Sequence, residues 1–154
     1  MNPVFDPKAF FTPETAPEAA HTLGWTFVDA DVETGRLRVA FDGKPAFTNP
    51  AGVIQGGFLA AMLDDVMGPA ILVKSQGRTY ATTIDLHIHY LRPVKPGAIE
   101  VEAVVTQLGR SVAYVEGKLF DARGRLCARA TCSSMIVTNP FQASAEKAAS
   151  LSEA

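Results

Sequence analysis

The sequence predicts an α+β domain in which an antiparallel β-sheet wraps around one long central helix. Three observations point there. Residues 56–75, GGFLAAMLDDVMGPAILVKS, form a long run with apolar residues on every side, which reads as a buried helix rather than a surface one. Four long strand-like segments follow, at 82–91, 98–108, 111–121 and 125–137, separated by turn residues. A sheet of that size must cover its apolar face, and the helix is the only segment large enough to do so.

The elements follow in order. Residues 1–23 form a lead-in: Pro3, Pro7 and Pro13 keep 1–15 irregular, and 16–23 suits a short helix. The main domain runs over 24–138 and a small, polar tail over 139–154. Residues 25–31 and 36–41 alternate loosely around Glu33-Thr34-Gly35, a hairpin-like signal. Residues 42–55 are loop-like, with Gly43, Pro45, Asn49, Pro50 and Gly52. Within the long helix, Pro69 lacks an N–H and its ring crowds the carbonyl of Asp65. A kink or break is expected just after the Asp64-Asp65 pair. In 82–91, strict alternation puts Ile84, Leu86, Ile88 and Tyr90 on one face and Thr83, Asp85, His87 and His89 on the other. Pro93, Pro96 and Gly97 make the next turn; Gly109-Arg110 and Ala122-Arg123-Gly124 make the last two. Such a sheet leaves edge strands for oligomerisation to cover.

Composition narrows the function. The chain has 154 residues, 47% hydrophobic, with a formal net charge of -2. That suits one domain with a substantial core. No Lys/Arg block stands out, so neither nucleic acid nor an anionic membrane is an expected partner. The N-terminus has no basic n-region followed by an apolar h-region, so no signal peptide is read there. The apolar stretch 58–73 is interrupted by Asp64, Asp65, Gly68 and Pro69 and reads as too short and too polar to span a bilayer. Cys127 and Cys132 lie on opposite faces of one expected strand and read as reduced thiols of a cytoplasmic protein.

The chemistry concentrates in one segment. It runs Asn49-Pro50-Ala51-Gly52-Val53-Ile54-Gln55-Gly56-Gly57, with Asp64-Asp65 further along. Two adjacent carboxylates interrupt an apolar helix, and an unpaired buried charge costs several kcal/mol. They need a partner, a solvent-filled site or a second subunit. Successive helical residues point about 100° apart, so only one of the two can aim at a given spot. Gly56-Gly57 opens the helix. Its amides have no intrahelical acceptor and sit at the positive end of the dipole. Without side chains, a carbonyl oxygen can come close, which is the geometry of an oxyanion site.

These residues resemble the PaaI-like branch of the hotdog-fold thioesterases, in which a His-Gly-Gly helix start is followed about two turns later by an Asp. Asn49, Gly56, Gly57 and Asp64 fall on that pattern. Thr82-Thr83-Ile84-Asp85 followed by Tyr90-Leu91-Arg92-Pro93 resembles the family's next strand, with Thr83 at the position that reaches the site. Gly109-Arg110-Ser111 and residues 121–128 resemble its last hairpin. The resemblance covers about residues 24–137 and implies a hotdog fold and hydrolysis of an acyl-CoA. Gly56 and Gly57 amides would polarise the thioester carbonyl. Asp64 would activate a water or attack directly, and Asn49 or Thr83 would hold the water. The family's His is Gln55 here, which can orient a group but cannot titrate near neutral pH. The resemblance also places the site between two subunits, with Asp64 facing Asn49 and Gln55 of a partner in a homodimer or a dimer of dimers. No metal or cofactor is implied.

Other residues carry less. Arg92, Arg110 and Ser111 are candidates for contacting substrate, the arginines through coenzyme A phosphates. His87 and His89 share a strand face at the spacing of a metal pair, but His21 is the only other histidine, so strand-surface histidines are the simpler reading. Phe58, Met62, Met67 and residues 47–53 are candidates for an acyl pocket, suggesting a medium-chain or aromatic acyl group. Two rival functions fit the same fold: an acyl-CoA-binding protein without turnover, favoured by Gln55, and an acyl-thioester hydratase or dehydratase, which usually needs the missing His.

Overall fold

A computed structural model of the chain describes residues 5–139; the expected polar tail lies almost wholly outside the described residues. Two short helices, α1 (Pro7–Phe10) and α2 (Glu18–Leu23), precede a hairpin of β1 (Thr26–Asp31) and β2 (Arg36–Gly43). Then come a 3-10 turn (Pro45–Phe47), the central helix α3 (Gly56–Lys74), and strands β3 (Thr79–Tyr90), β4 (Gly97–Leu108), β5 (Val112–Phe120) and β6 (Leu126–Thr138). α1 is a turn of helix in a segment expected to be irregular: Asp6 caps it by accepting from the Lys8 amide at 3.0 Å, and Pro7 suits its first position.

The strands form one six-stranded antiparallel sheet in the order β1-β2-β4-β5-β6-β3. α3 packs across β2 to β5. Met62, Leu63, Val66, Met67, Ala70, Ile71 and Val73 are buried against Leu37, Val39, Val101, Ala103, Val115 and Leu119. Each fully buried Val, Leu, Ile or Met contributes about 1.5–3 kcal/mol, which makes α3 the anchor of the fold. The helix lies so close to β5 that a Cβ on Gly117 would come within 2.9 Å of the Met67 sulfur. By length and composition alone, α3 could cross a bilayer, contrary to the expectation from 58–73; here it is a core helix, half of it buried against the sheet.

Three further expectations are corrected. First, α3 runs without a break through Pro69 to Lys74. The proline deprives the Asp65 carbonyl of its intrahelical donor, and the Trp25 indole Nε1 donates to that oxygen instead, at 3.2 Å. Second, α3 is not covered on every side. Gly57, Ala61 and Asp64, one stripe at helical spacing, are exposed. Third, β3 does not alternate strictly. Thr83 pairs with Ser134 and Asp85 with the next residue back, Ser133, which leaves Ile84 as a β-bulge. Ile84 is accordingly 59% exposed. The bulge shifts the alternation by one, so Thr83 falls on the helix side with Leu86 and Ile88 rather than opposite them.

Cys127 and Cys132 are both buried and free. Cys127 lies at a second irregularity, where β6 slips against β5 between Leu119 and Phe120.

Candidate active site

The loop before α3 is built by Asn49. Its side-chain oxygen accepts from the amides of Ala51 at 3.0 Å and Val53 at 3.4 Å. An isolated bridge between Thr48 and Ile54 closes the loop's neck, and the Ile54 amide donates to the Val94 carbonyl at 2.8 Å. Asn49 Oδ1 is thus committed to its own loop, and within one chain it is Thr83, not Asn49, that reaches Asp64.

Gln55 is the N-cap of α3. Its side chain makes no capping bond and is exposed, while its carbonyl accepts from Phe58 at 3.0 Å and Leu59 at 3.4 Å. Those bonds begin the helix and leave the Gly56 and Gly57 amides as the pair without an intrahelical acceptor, directed out of the N-terminal end. A Cβ on Gly57 would meet nothing within 4 Å, so the helix start is open on the side where that side chain would stand.

Asp64 stands on the same helix face as Gly57, about 10 Å further along the axis. Thr83 Oγ1 donates to its Oδ1 at 2.9 Å, a bond the Ile84 bulge makes possible. Asp65, next to it, points elsewhere. One of its oxygens, Oδ2, is buried with no hydrogen-bond partner among the described residues. Burial, with the Asp64 charge added, pushes its carboxyl up to about 6. Nothing in the sequence distinguished these two environments beyond the 100° turn between them.

A cleft of about 280 Å³ opens beside Gly56, lined by Ile54, Leu59, Tyr90, Leu91, Arg92 and Val94 among others. Met62 and Met67, expected in an acyl pocket, are instead fully buried core residues, and Phe58 stacks on Phe47 with ring centroids 4.2 Å apart. Arg92 reaches the cleft but spends one N–H on the Leu126 carbonyl, at 2.7 Å.

Arg110 and Ser111 are elsewhere. Their turn lies beside Met135 and Ile136, level with Thr82, whereas Gly56 and Arg92 lie by Tyr90, about 25 Å along β3. Within one chain the structure does not bring these two groups together. The His87 and His89 rings are 5.1 Å apart, and among the described residues no group of three or more His, Cys, Asp or Glu is arranged to hold a metal.

One signal went unread in the sequence. The Tyr90 hydroxyl donates to the Gly56 carbonyl at 2.7 Å, joining the Tyr-Leu-Arg-Pro segment to the start of α3.

The chain is similar in sequence and fold to known proteins. Residues 51–128 match the family model described as the thioesterase superfamily. A Saccharolobus solfataricus protein provisionally named an esterase is 33% identical over 120 residues, 76% of this chain and 85% of its own length. Human acyl-coenzyme A thioesterase 13 is 31% identical over 84 residues, 53% of this chain and 59% of its own. The crystal structure of a phenylacetic acid degradation-related protein from Ralstonia eutropha JMP134 superposes with a TM-score of 0.73 at 36% identity, covering 79% of this chain and 92% of the other.

Proposed function

The chain belongs to the thioesterase superfamily, in its PaaI-like branch with the hotdog fold, and on that footing we propose that this thioester hydrolase cleaves a medium-chain or aromatic acyl-CoA to the free acid and coenzyme A. The observation that carries the reading is Asp64: an exposed carboxylate on an otherwise core-forming helix, held by Thr83 at 2.9 Å and on the same exposed face as Gly57.

The geometry supports a site completed by a second copy. A reacting carbonyl must sit about 3 Å from both the base and the oxyanion donors. In one chain Asp64 lies about 10 Å from Gly57, and the amides point away from it. A two-fold axis that lays two exposed Gly57–Asp64 stripes side by side, antiparallel, meets the requirement twice: each Asp64 faces the partner's Gly56 and Gly57. The same axis brings the partner's Gln55 and Asn49 loop near Asp64, and it covers the unpaired edge of β3. The assembly is a homodimer, or a dimer of dimers. Two buried free thiols and a sequence without a Lys/Arg block fit a cytoplasmic enzyme.

In this site the thioester oxygen binds the Gly56 and Gly57 amides. Thr83 fixes Asp64 Oδ1 and leaves Oδ2 to take a proton from the attacking water. The tetrahedral oxyanion forms against the amides, the C–S bond breaks as the carbonyl re-forms, and the thiolate recovers the proton held on Asp64 and leaves as the thiol. Direct attack by the same oxygen would use the same residues, expelling the thiolate to leave an anhydride on Asp64 that water then cleaves to the free acid. Gln55 orients rather than titrates. The 280 Å³ cleft beside Gly56 suits a compact acyl group, and the name of the human relative supports coenzyme A as the carrier. Arg92 and, from the other end of the sheet, Arg110 with Ser111 are the candidates for binding the carrier.

The test is thiol release from a panel of acyl-CoA esters with Asp64→Asn. That change removes the base and keeps the shape, so turnover should fall at least about a hundredfold with folding and substrate binding retained. Unchanged turnover would move the site elsewhere.

A further inference from the structure

We propose that Tyr90 is the positioning residue of the oxyanion site: it fixes the Gly56–Gly57 peptide so that the Gly57 amide faces the thioester oxygen. The proposal rests on the reading of Gly56-Gly57 as oxyanion donors. Two contacts carry it. The Tyr90 hydroxyl donates to the Gly56 carbonyl at 2.7 Å. The ring itself lies against Gly56: a Cβ there would stand 3.2 Å from Tyr90 Cζ and 3.3 Å from its hydroxyl oxygen.

The peptide plane converts these contacts into a function. The Gly56 carbonyl and the Gly57 N–H belong to one rigid trans peptide and point in opposite directions. Holding the carbonyl therefore aims the N–H. A donor on the carbonyl also polarises the peptide and strengthens the N–H as a donor on its far side. Glycine restrains its own backbone least, so the Tyr90 bond adds to the hydrogen bond that the helix itself makes at the Gly56 carbonyl. Tyr90 is 51% exposed, yet burial around the phenol pushes its pKa above the ordinary value, so it stays a neutral donor through the working pH range.

The two glycines then have different reasons to be glycine. A side chain at Gly56 would press on the end of the Tyr90 ring, which would have to give by a few tenths of an ångström. Gly57 has open space where a Cβ would be, so the helix start carries no bulk on that side.

The experiment is Tyr90→Phe, which keeps the ring and removes the hydroxyl. It is read by steady-state acyl-CoA hydrolysis, by thermal melting and by the ¹⁵N–¹H signal of Gly57 in glycine-labelled protein, identified by its loss in Gly57→Ala. Expected are an unchanged melting temperature, a shifted Gly57 signal, a kcat lower by about tenfold and a KM within about twofold. An unmoved Gly57 signal overturns the role of Tyr90 and leaves the Gly-Gly reading standing. A shifted signal with unchanged kcat shows that the peptide is held by Tyr90 but binds no oxyanion, which overturns both. A KM that rises as much as kcat/KM falls makes Tyr90 a substrate contact and refutes positioning.

Discussion

A one-to-one mixture of Asp64→Asn and Gly57→Pro subunits should recover about a quarter of wild-type turnover, although each parent is nearly inactive. Asp64→Asn removes the base. Gly57→Pro removes the amide donor at a first-turn position that tolerates proline, and a Cβ there meets nothing within 4 Å. The magnitude follows from the helix. Gly57 and Asp64 of one chain lie about 10 Å apart with the amides directed away, so in the proposed shared site each copy supplies the base to one centre and the amides to the other. A hybrid dimer then holds one doubly damaged site and one intact site. Random exchange makes about half the dimers hybrid, each with half its sites working. Co-expression under two affinity tags and tandem purification should give about half of wild-type activity per dimer. The assay is thiol release, with light scattering to confirm that both variants and the hybrid are dimers. Activity no greater than the sum of the parents would refute a shared site.

Two further perturbations test the surroundings. Thr83→Val should lower kcat by about tenfold without changing the melting temperature, and Thr83→Ser should restore it. A hydrogen bond to a charged group contributes about 1.5–3 kcal/mol, with the lower end apt for this exposed pair; a Val variant with full activity would exclude the role. Asp65→Asn should stabilise the fold at pH 8 and do little at pH 4. The folded carboxyl titrates at about 6 against an ordinary 3.8, so the wild type loses stability as pH rises between those values and carries the full penalty above them. The shift corresponds to about 3 kcal/mol, reduced by partial exposure to about 1–2 kcal/mol, and denaturant midpoints that gain equally at both pH values would contradict it.

The helix and strands were legible because each carries a local signal: an apolar run for α3, alternation and turn residues for β4 to β6. Gly56, Gly57 and Asp64 were legible for the same reason, as residues out of place in such a run. What escaped depends on contacts between distant segments. Ile84 is an ordinary strand former, and nothing local marks it as a bulge, so strict alternation set Thr83 on the wrong face. Pro69 suggests a kink or break because the donor that satisfies the Asp65 carbonyl, Trp25, lies forty residues earlier; the helix does not break. Tyr90 read as one more strand aromatic, since its partner at Gly56 is separated from it by thirty-four residues. Met62 and Met67 have the composition of a pocket lining and the burial of a core, and composition alone does not separate the two.

Trp25 is the chain's one tryptophan, so the protein carries its own optical label at an informative place. The indole N–H rests on the carbonyl of Asp65, beside Asp64, and the Phe11 ring lies 5.5 Å from the indole. Ultraviolet emission from unmodified enzyme therefore reports the middle of α3 and the docking of the N-terminal segment together. A Phe11→Leu variant separates the two contributions, because it alters the indole's neighbour and leaves its hydrogen bond in place.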